Sequence, residues 1–128
     1  MPSARIVQSG GTVVSISGRT SDGRALVHVV AENVAREDIL VPAYNLSGRL
    51  TNNVLSVVGG DGEKVPYVGA QIKRTEPKEA DCTLLKAGQT AEFDIDLKEF
   101  YPHTGEARPF SVSYSGPLGS SDTITVLY

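Results

Sequence analysis

The sequence has no tryptophan, one cysteine, one methionine and two histidines. A single cysteine makes no internal disulfide and no cysteine-based zinc site, so Cys82 reads as a small, partly buried residue. Without tryptophan, an aromatic platform for sugars would have to be built from tyrosine. Tyr44, Tyr67 and Tyr101 are its candidates, and packing in the core or at an edge is the more ordinary use of such rings. There is no basic excess either: 12 Lys and Arg stand against 15 Asp and Glu, a net charge of −3. Nucleic-acid binders carry a basic face or stripe. Here the one compact basic pair is Lys73-Arg74, so nucleic acid is not expected as a partner. No apolar run approaches the roughly 18 residues of a membrane helix, so no membrane span is expected. Met1-Pro2-Ser3-Ala4-Arg5 is not followed by an apolar stretch, and the expectation is a chain without a secretory signal, secreted or periplasmic if trimmed and otherwise cytoplasmic.

Reactive constellations are also missing. Neither His28 nor His103 begins an H-E-x-x-H pair, no G-x-S-x-G elbow occurs, and Gly59-Gly60-Asp61-Gly62-Glu63-Lys64 lacks the spacing of a phosphate-binding loop. His28 sits in a strand pattern opposite an apolar face and reads as a surface group with one hydrogen bond. His103 lies in a loop and could meet Asp94, Asp96 or Glu99 around a cation, but Asp94 and Asp96 alternate with core residues like an ordinary solvated strand face. The expectation is therefore no catalytic residue, no metal and no cofactor. Asn45-Leu46-Ser47 is a formal glycosylation sequon and matters only in a eukaryotic secretory pathway.

What the sequence does contain is short alternating runs separated by turn residues, among them 13 Gly and 7 Pro. The clearest run is Arg24-Ala25-Leu26-Val27-His28-Val29-Val30-Ala31-Glu32-Asn33. Ala25, Val27, Val29 and Ala31 form its apolar face. Asp22-Gly23 ahead of it supplies a turn with positive φ. Residues 54–58, 65–68, 90–97, 110–114 and 123–128 read as further strands, with 4–8, 12–17, 39–41 and 82–85 as shorter ones and a helical turn within 98–108. Pro66 demotes the 65–68 strand to an edge or a bulge. Residues 70–74 continue extended. No 3.6-residue period is sustained. These features predict an all-β chain, a single domain over residues 1–128, built as an antiparallel two-sheet Ig-like β-sandwich of about eight or nine strands, with a closed barrel as the alternative. Gly116-Pro117-Leu118-Gly119-Ser120 matches the remnant that tag-cleavage vectors leave at a chain start. Internal here, with no protease recognition stretch before it, it reads as a natural loop.

The middle and C-terminal runs carry a resemblance. Asn53-Val54-Leu55-Ser56-Val57-Val58 leads through a Gly-rich turn into Lys64-Val65-Pro66-Tyr67-Val68-Gly69-Ala70-Gln71-Ile72-Lys73-Arg74. Then come Leu84-Leu85-Lys86-Ala87-Gly88-Gln89-Thr90, Phe93-Asp94-Ile95-Asp96-Leu97, Phe100-Tyr101 and Phe110-Ser111-Val112-Ser113-Tyr114. With the strand ending at Asn33, this pattern over about residues 11–115 resembles the N-terminal β-domain, or pro-region, of the aspzincin metalloendopeptidases, the deuterolysin and peptidyl-Lys endopeptidase group. The resemblance implies a β-sandwich that packs on a protease and blocks or chaperones it. None of that family's zinc ligands stands in these residues, so its proteolysis does not carry over. A looser resemblance is to small Ig-like bacterial proteinase inhibitors, which present loops from one end of a sandwich.

Both resemblances imply a non-catalytic protein-binding module, a protease inhibitor or pro-domain-like domain whose protein partner is a protease, on the first resemblance a metalloendopeptidase. The loops to carry it are 42–53, 75–81 and 102–109, since loops at sandwich ends vary while the sheets hold them rigid. The partner-binding candidates are Tyr67, Lys73, Arg74, Tyr101 and His103. Lys73 or Arg74 could enter an acidic specificity pocket. Alternatively, both discourage edge pairing, and Tyr67 and Tyr101 belong to the core. Two rival functions stand beside this one: a structural or adhesion-type sandwich pairing through an edge in residues 65–74, and a carbohydrate-binding module with a tyrosine-lined groove.

Overall fold

The computed structural model describes residues 12–128 and, as backbone, Arg5–Ile6. Ten strands follow one another: β1 (Arg5–Ile6), β2 (Thr12–Ser21), β3 (Arg24–Asn33), β4 (Ile39–Pro42), β5 (Leu55–Gly59), β6 (Cys82–Leu85), β7 (Thr90–Asp96), β8 (Pro109–Gly116), β9 (Gly119–Ser120) and β10 (Ile124–Leu127). One short helix, α1 (Leu97–Phe100), follows β7, and single 3-10 turns occupy Ala43–Leu46 and Glu79–Asp81. The run expected over residues 4–8 is described only at β1, and the turn expected at Ser9-Gly10-Gly11 lies outside the described residues.

The strands form three sheets, ordered β1-β4-β6, β2-β3-β7 and β10-β8-β5, with β9 paired to β8. None closes into a barrel. Every ladder is antiparallel except β1–β4, which is parallel, a departure from the wholly antiparallel expectation. The β2–β3 hairpin turns at Asp22 and Gly23, with φ of 50° and 78°, the paired positive values of a type I′ turn whose twist matches the flanking strands. Ala25, Val27, Val29 and Ala31 are all fully buried, so the alternation of β3 sets its inner face. That face joins Leu55 and Val57 of β5, Ile95 of β7, Phe110, Val112 and Tyr114 of β8, and Val126 of β10 in one apolar cluster. Strands β2 and β10 approach closely: a Cβ at Gly18 of β2 would lie 2.8 Å from Val126 Cγ2.

Residues 65–78 correct the expected return strand. The Gly-rich turn forms as anticipated, with Gly59 N–H donating to Glu63 O at 2.8 Å and an isolated bridge between Val58 and Lys64. Val65 N–H still reaches Val57 O at 2.8 Å. The ladder stops there: the next hydrogen-bonded pair would join Leu55 to Tyr67, and Leu55 N–H donates instead to the Tyr101 hydroxyl. The chain then runs outside any sheet to the 3-10 turn at Glu79–Asp81. The helical turn expected within 98–108 forms slightly earlier, as α1. Asp96 caps it by accepting from Lys98 N–H at 3.0 Å, and Lys98 Nζ donates to Gly23 O at 2.6 Å, tying α1 to the β2–β3 turn.

Two buried polar groups fasten these pieces. Asn33 is fully buried. Its Nδ2 donates to Glu37 O and Leu85 O at 3.0 Å each, and its Oδ1 accepts from Ala35 N–H at 2.9 Å. Its main chain donates to Gln89 O and accepts from Gly88 N–H. Tyr101 is also fully buried. Its hydroxyl donates to Asn53 Oδ1 and accepts from Leu55 N–H at 3.0 Å, while its carbonyl accepts from the Tyr128 hydroxyl at 2.7 Å. Burial raises both phenol pKa values, that of Tyr128 to about 12, so both hydroxyls stay protonated donors. The Gly116-to-Ser120 loop is integrated with the fold: Leu118 is buried in the core and its carbonyl accepts from the Thr12 hydroxyl.

Asn33→Asp turns a donor into an acceptor that faces two carbonyls. It should cost about 1–3 kcal/mol, the buried Leu85 carbonyl being left without its donor. A fall in the urea midpoint with unchanged m-value would register it, and a midpoint within error of wild type would refute it. Tyr101→Phe keeps the ring and removes only the hydroxyl, so about 1–2 kcal/mol should be lost by the same measurement.

Candidate functional site

The exposed segment 65–78 carries three of the sequence candidates. Three main-chain bonds pin it: Val65 N–H to Val57 O, Val68 N–H to Phe100 O at 3.0 Å and Ile72 N–H to Thr51 O at 2.9 Å. The half-buried Tyr67 ring packs 5.5 Å from Tyr101 and 6.3 Å from Phe100, and its hydroxyl donates to Ala70 O, folding the segment back on itself. Burial raises the Tyr67 phenol pKa. Gly69 permits this approach, since a Cβ there would come within 2.8 Å of Phe100 Cδ1 and closer still to the Tyr67 ring. Beyond Ile72, Lys73 and Arg74 are exposed.

Arg74 joins two loops. Its guanidinium carbon lies 3.9 Å from the centre of the Tyr44 ring, a cation–π contact worth about 0.5–1 kcal/mol at an exposed position. Tyr44 belongs to the 3-10 turn after β4, so the stack brings loop 42–53 against loop 72–81. Between them lies an open groove of about 500 Å³, walled by Tyr44, Ile72, Lys73, Arg74, Pro77 and Asp81. It combines aromatic and aliphatic surface, two cations and acidic groups at one end. Such a surface suits a peptide or protein better than a small apolar ligand. Cys82, at the far end of the adjoining turn, directs its thiol to Lys78 O at 3.4 Å. Its pKa is raised by burial and then by Asp81 and Glu79, which keeps it a thiol rather than a nucleophile.

His103 stands apart, in a second groove of about 440 Å³ between residues 59–66 and 102–110. Its ring lies 4.6 Å from Phe110 and 4.8 Å from Tyr128. Nε2 donates to Tyr128 O at 2.6 Å, and Nδ1 lies 3.1 Å from Thr104 O and 3.4 Å from Arg108 Nη1. Both ring nitrogens are thus engaged. His103 does not meet Asp94 or Asp96: Asp96 caps α1, and Asp94 is held by His28. Tyr101, buried beneath the segment, presents no surface to a partner. It positions Tyr67 from below. Of the five candidates, then, Tyr67, Lys73 and Arg74 share one segment, Tyr101 supports it, and His103 lies elsewhere.

His28 makes two contacts rather than the single one expected. On the outer face of β3 and β7, Nδ1 lies 2.8 Å from Asp94 Oδ1 and Nε2 2.9 Å from Glu92 Oε1. Carboxylates only accept, so the two contacts together favour the doubly protonated ring. Its pKa is raised, first by the hydrogen bond to Glu92 and then by that to Asp94. Arg19 of β2 adds a third strand to the cluster, 3.8 Å from Asp94. The signal was present in the alternation of both strands but needed their register, which sets His28 opposite Asp94. Tyr44 was missed as a partner of Arg74 for the same reason: nothing local links positions 30 residues apart.

Among the described residues, no helix is long and apolar enough to cross a membrane. No protein-family model matches the chain. Over 102 residues it is 30% identical to an extracellular protease of Aeromonas hydrophila. The match takes in 80% of this chain and 28% of the relative, so the chain spans little more than a quarter of the length of the curated relative it matches. The chain is thus similar to one portion of an extracellular protease.

The His28 clamp has a defined pH dependence. Its folded pKa lies above 6.5, so its contribution is complete below about pH 6.5 and is lost as pH rises through the folded value. Melting temperatures of wild type and His28→Gln should therefore differ most near pH 6 and converge as pH rises through the folded value. A gap that is constant or widens with pH would contradict the clamp.

Proposed function

We propose that this chain is a non-catalytic module of an extracellular protease system, an inhibitor or pro-domain-like domain that binds the protease through the Tyr44–Arg74 groove. The sheets are read as the two layers of an Ig-like sandwich, β2-β3-β7 facing β5-β8-β10, with the groove among the connecting loops. The observation that carries the proposal is the stack of Arg74 on Tyr44, 3.9 Å from guanidinium carbon to ring centre. It holds two loops in one shape before any partner arrives, which lowers the ordering cost of binding. Tyrosine and arginine are also the side chains that most often anchor protein interfaces. The similarity to part of an extracellular protease supports a protease as the partner. A non-catalytic role is supported by the two histidines, both of whose ring nitrogens are already engaged by neighbours. Lys73, beside the stack, is the cation available to an acidic pocket of the partner.

The test is a titration of the domain against a panel of extracellular proteases that includes metalloendopeptidases, following residual activity. Stoichiometric inhibition of at least one is expected. Tyr44→Ala and Arg74→Ala should each weaken it by about tenfold or more, the size of an interface anchor, while His28→Gln leaves it unchanged. No inhibition across the panel, with the domain itself left intact, would overturn the proposal.

A further inference from the structure

We propose that Lys73-Arg74 is a proteolytic processing site, cut on the carboxyl side of one of these residues by a Lys- or Arg-specific endopeptidase while the domain remains folded. Endopeptidases bind several substrate residues in extended form, using the substrate's own N–H and C=O groups as an added strand does. Sheet and helix residues have those groups committed. Among the described residues, Lys73, Arg74, Thr75 and Glu76 make no main-chain hydrogen bond, and all four are exposed. The last ties before them are Ile72 N–H to Thr51 O and Asn52 Nδ2 to Ile72 O at 3.4 Å, and the next is Lys78 N–H to Asp81 Oδ2 at 3.1 Å.

The other described basic residues are placed differently. Arg19 and Arg24 lie in the β2–β3 ladder, and Lys64 is in the bridge to Val58. Lys98 is in α1, and Arg108 exchanges both main-chain bonds with Tyr128. The main chain of Lys86 is bonded on both sides to Gln89, and Lys78 is bonded through both N–H and C=O to Asp81. Arg49 donates to Ser47 Oγ. Arg36 is the strongest rival, but it lies in a bend whose two flanks, Ala35 and Glu37, are both bound by the Asn33 side chain, a curvature that opposes an extended fit.

In the reaction, water adds across the peptide bond: the C–N bond breaks, the hydroxyl joins the carbonyl carbon of Lys73 or Arg74, and the proton goes to the departing nitrogen. The β3–β7, β4–β6 and β5–β8 ladders all join residues before the cut to residues after it, so the nicked chain stays assembled. The nick separates Lys73 or Arg74 from the rest of loop 72–81 and opens one wall of the groove. This inference does not need the protease-binding reading, because its test contains no binding partner.

The native full chain is incubated with a trace of trypsin and followed by intact mass spectrometry, in buffer and in urea below the unfolding transition. The first cut within residues 12–128 should follow Lys73 or Arg74. Its rate should change less than about twofold over that urea range, because a site open in the native state does not track global unfolding. The product should elute as one species of native size. Lys73→Gln/Arg74→Gln, with its melting temperature measured alongside, should slow the first cut by at least about tenfold. A first cut after Arg36 or any other described residue, a rate that climbs with urea as unfolding does, or an unslowed double variant would each overturn the proposal.

Discussion

A buried amide at the end of β3 organises one end of this fold. Asn33 closes β3, and beyond it the chain must leave the sheet, turn and return as β4, while the turn before β7 must be held in register with β3. A single residue serves all three needs, because its amide has donors and an acceptor on one short stem and its main chain is free for the turn. Its two N–H contacts tie residue 37 to the end of β6, its oxygen shapes the bend at residue 35, and its main chain holds the turn at residues 88 and 89. The buried Leu85 carbonyl would otherwise be stranded away from water, where an unpaired polar group is costly. An apolar residue of the same size would fill the space and leave that carbonyl unpaired.

A different solution supports the exposed segment. Beyond Val65 the chain leaves the β5 ladder, where Leu55 N–H is taken by the Tyr101 hydroxyl, and it is held by a few discrete ties. The aromatic stack of Tyr67 on Tyr101 and Phe100 is the firmest, because Tyr101 is itself fixed by Asn53, Leu55 and Tyr128. Rigid support under an exposed, hydrogen-bond-poor strand suits recognition by another protein. The same feature leaves the main chain of residues 73–76 open to an enzyme. The proposed binding rests on the Arg74–Tyr44 stack, and the proposed processing on main-chain groups without a described partner.

The charged outer face of β2, β3 and β7 is built on other terms. His28, Glu92, Asp94 and Arg19 form a cross-strand cluster at the surface, where solvent screens each pair and the individual contributions are small. Its value is in register. A shift of β7 by one residue along β3 would move Glu92 and Asp94 to the core face and Phe93 and Ile95 outward.

Alternation along the chain was enough to find the inner face of β3, the outward carboxylates of β7, the Asp22-Gly23 turn and the Gly-rich turn after β5, since each depends on neighbours within a few residues. Pro66 already marked the place where the ladder fails. The sequence also named Tyr67, Lys73 and Arg74, and left Tyr101 divided between surface and core. What local pattern does not contain is pairing between distant strands. His28 meeting Asp94, Arg74 meeting Tyr44, and Tyr101 meeting Asn53 and Tyr128 all follow from sheet order and register. The same holds for the separation of His103 from the acidic strand it was expected to approach. By itself, the sequence determined which residues turn inward and where strands end, because φ/ψ preference and side-chain alternation are local. Only the tertiary structure decided which polar groups share a site, because that depends on contacts whose entropy cost is met only when the whole core closes.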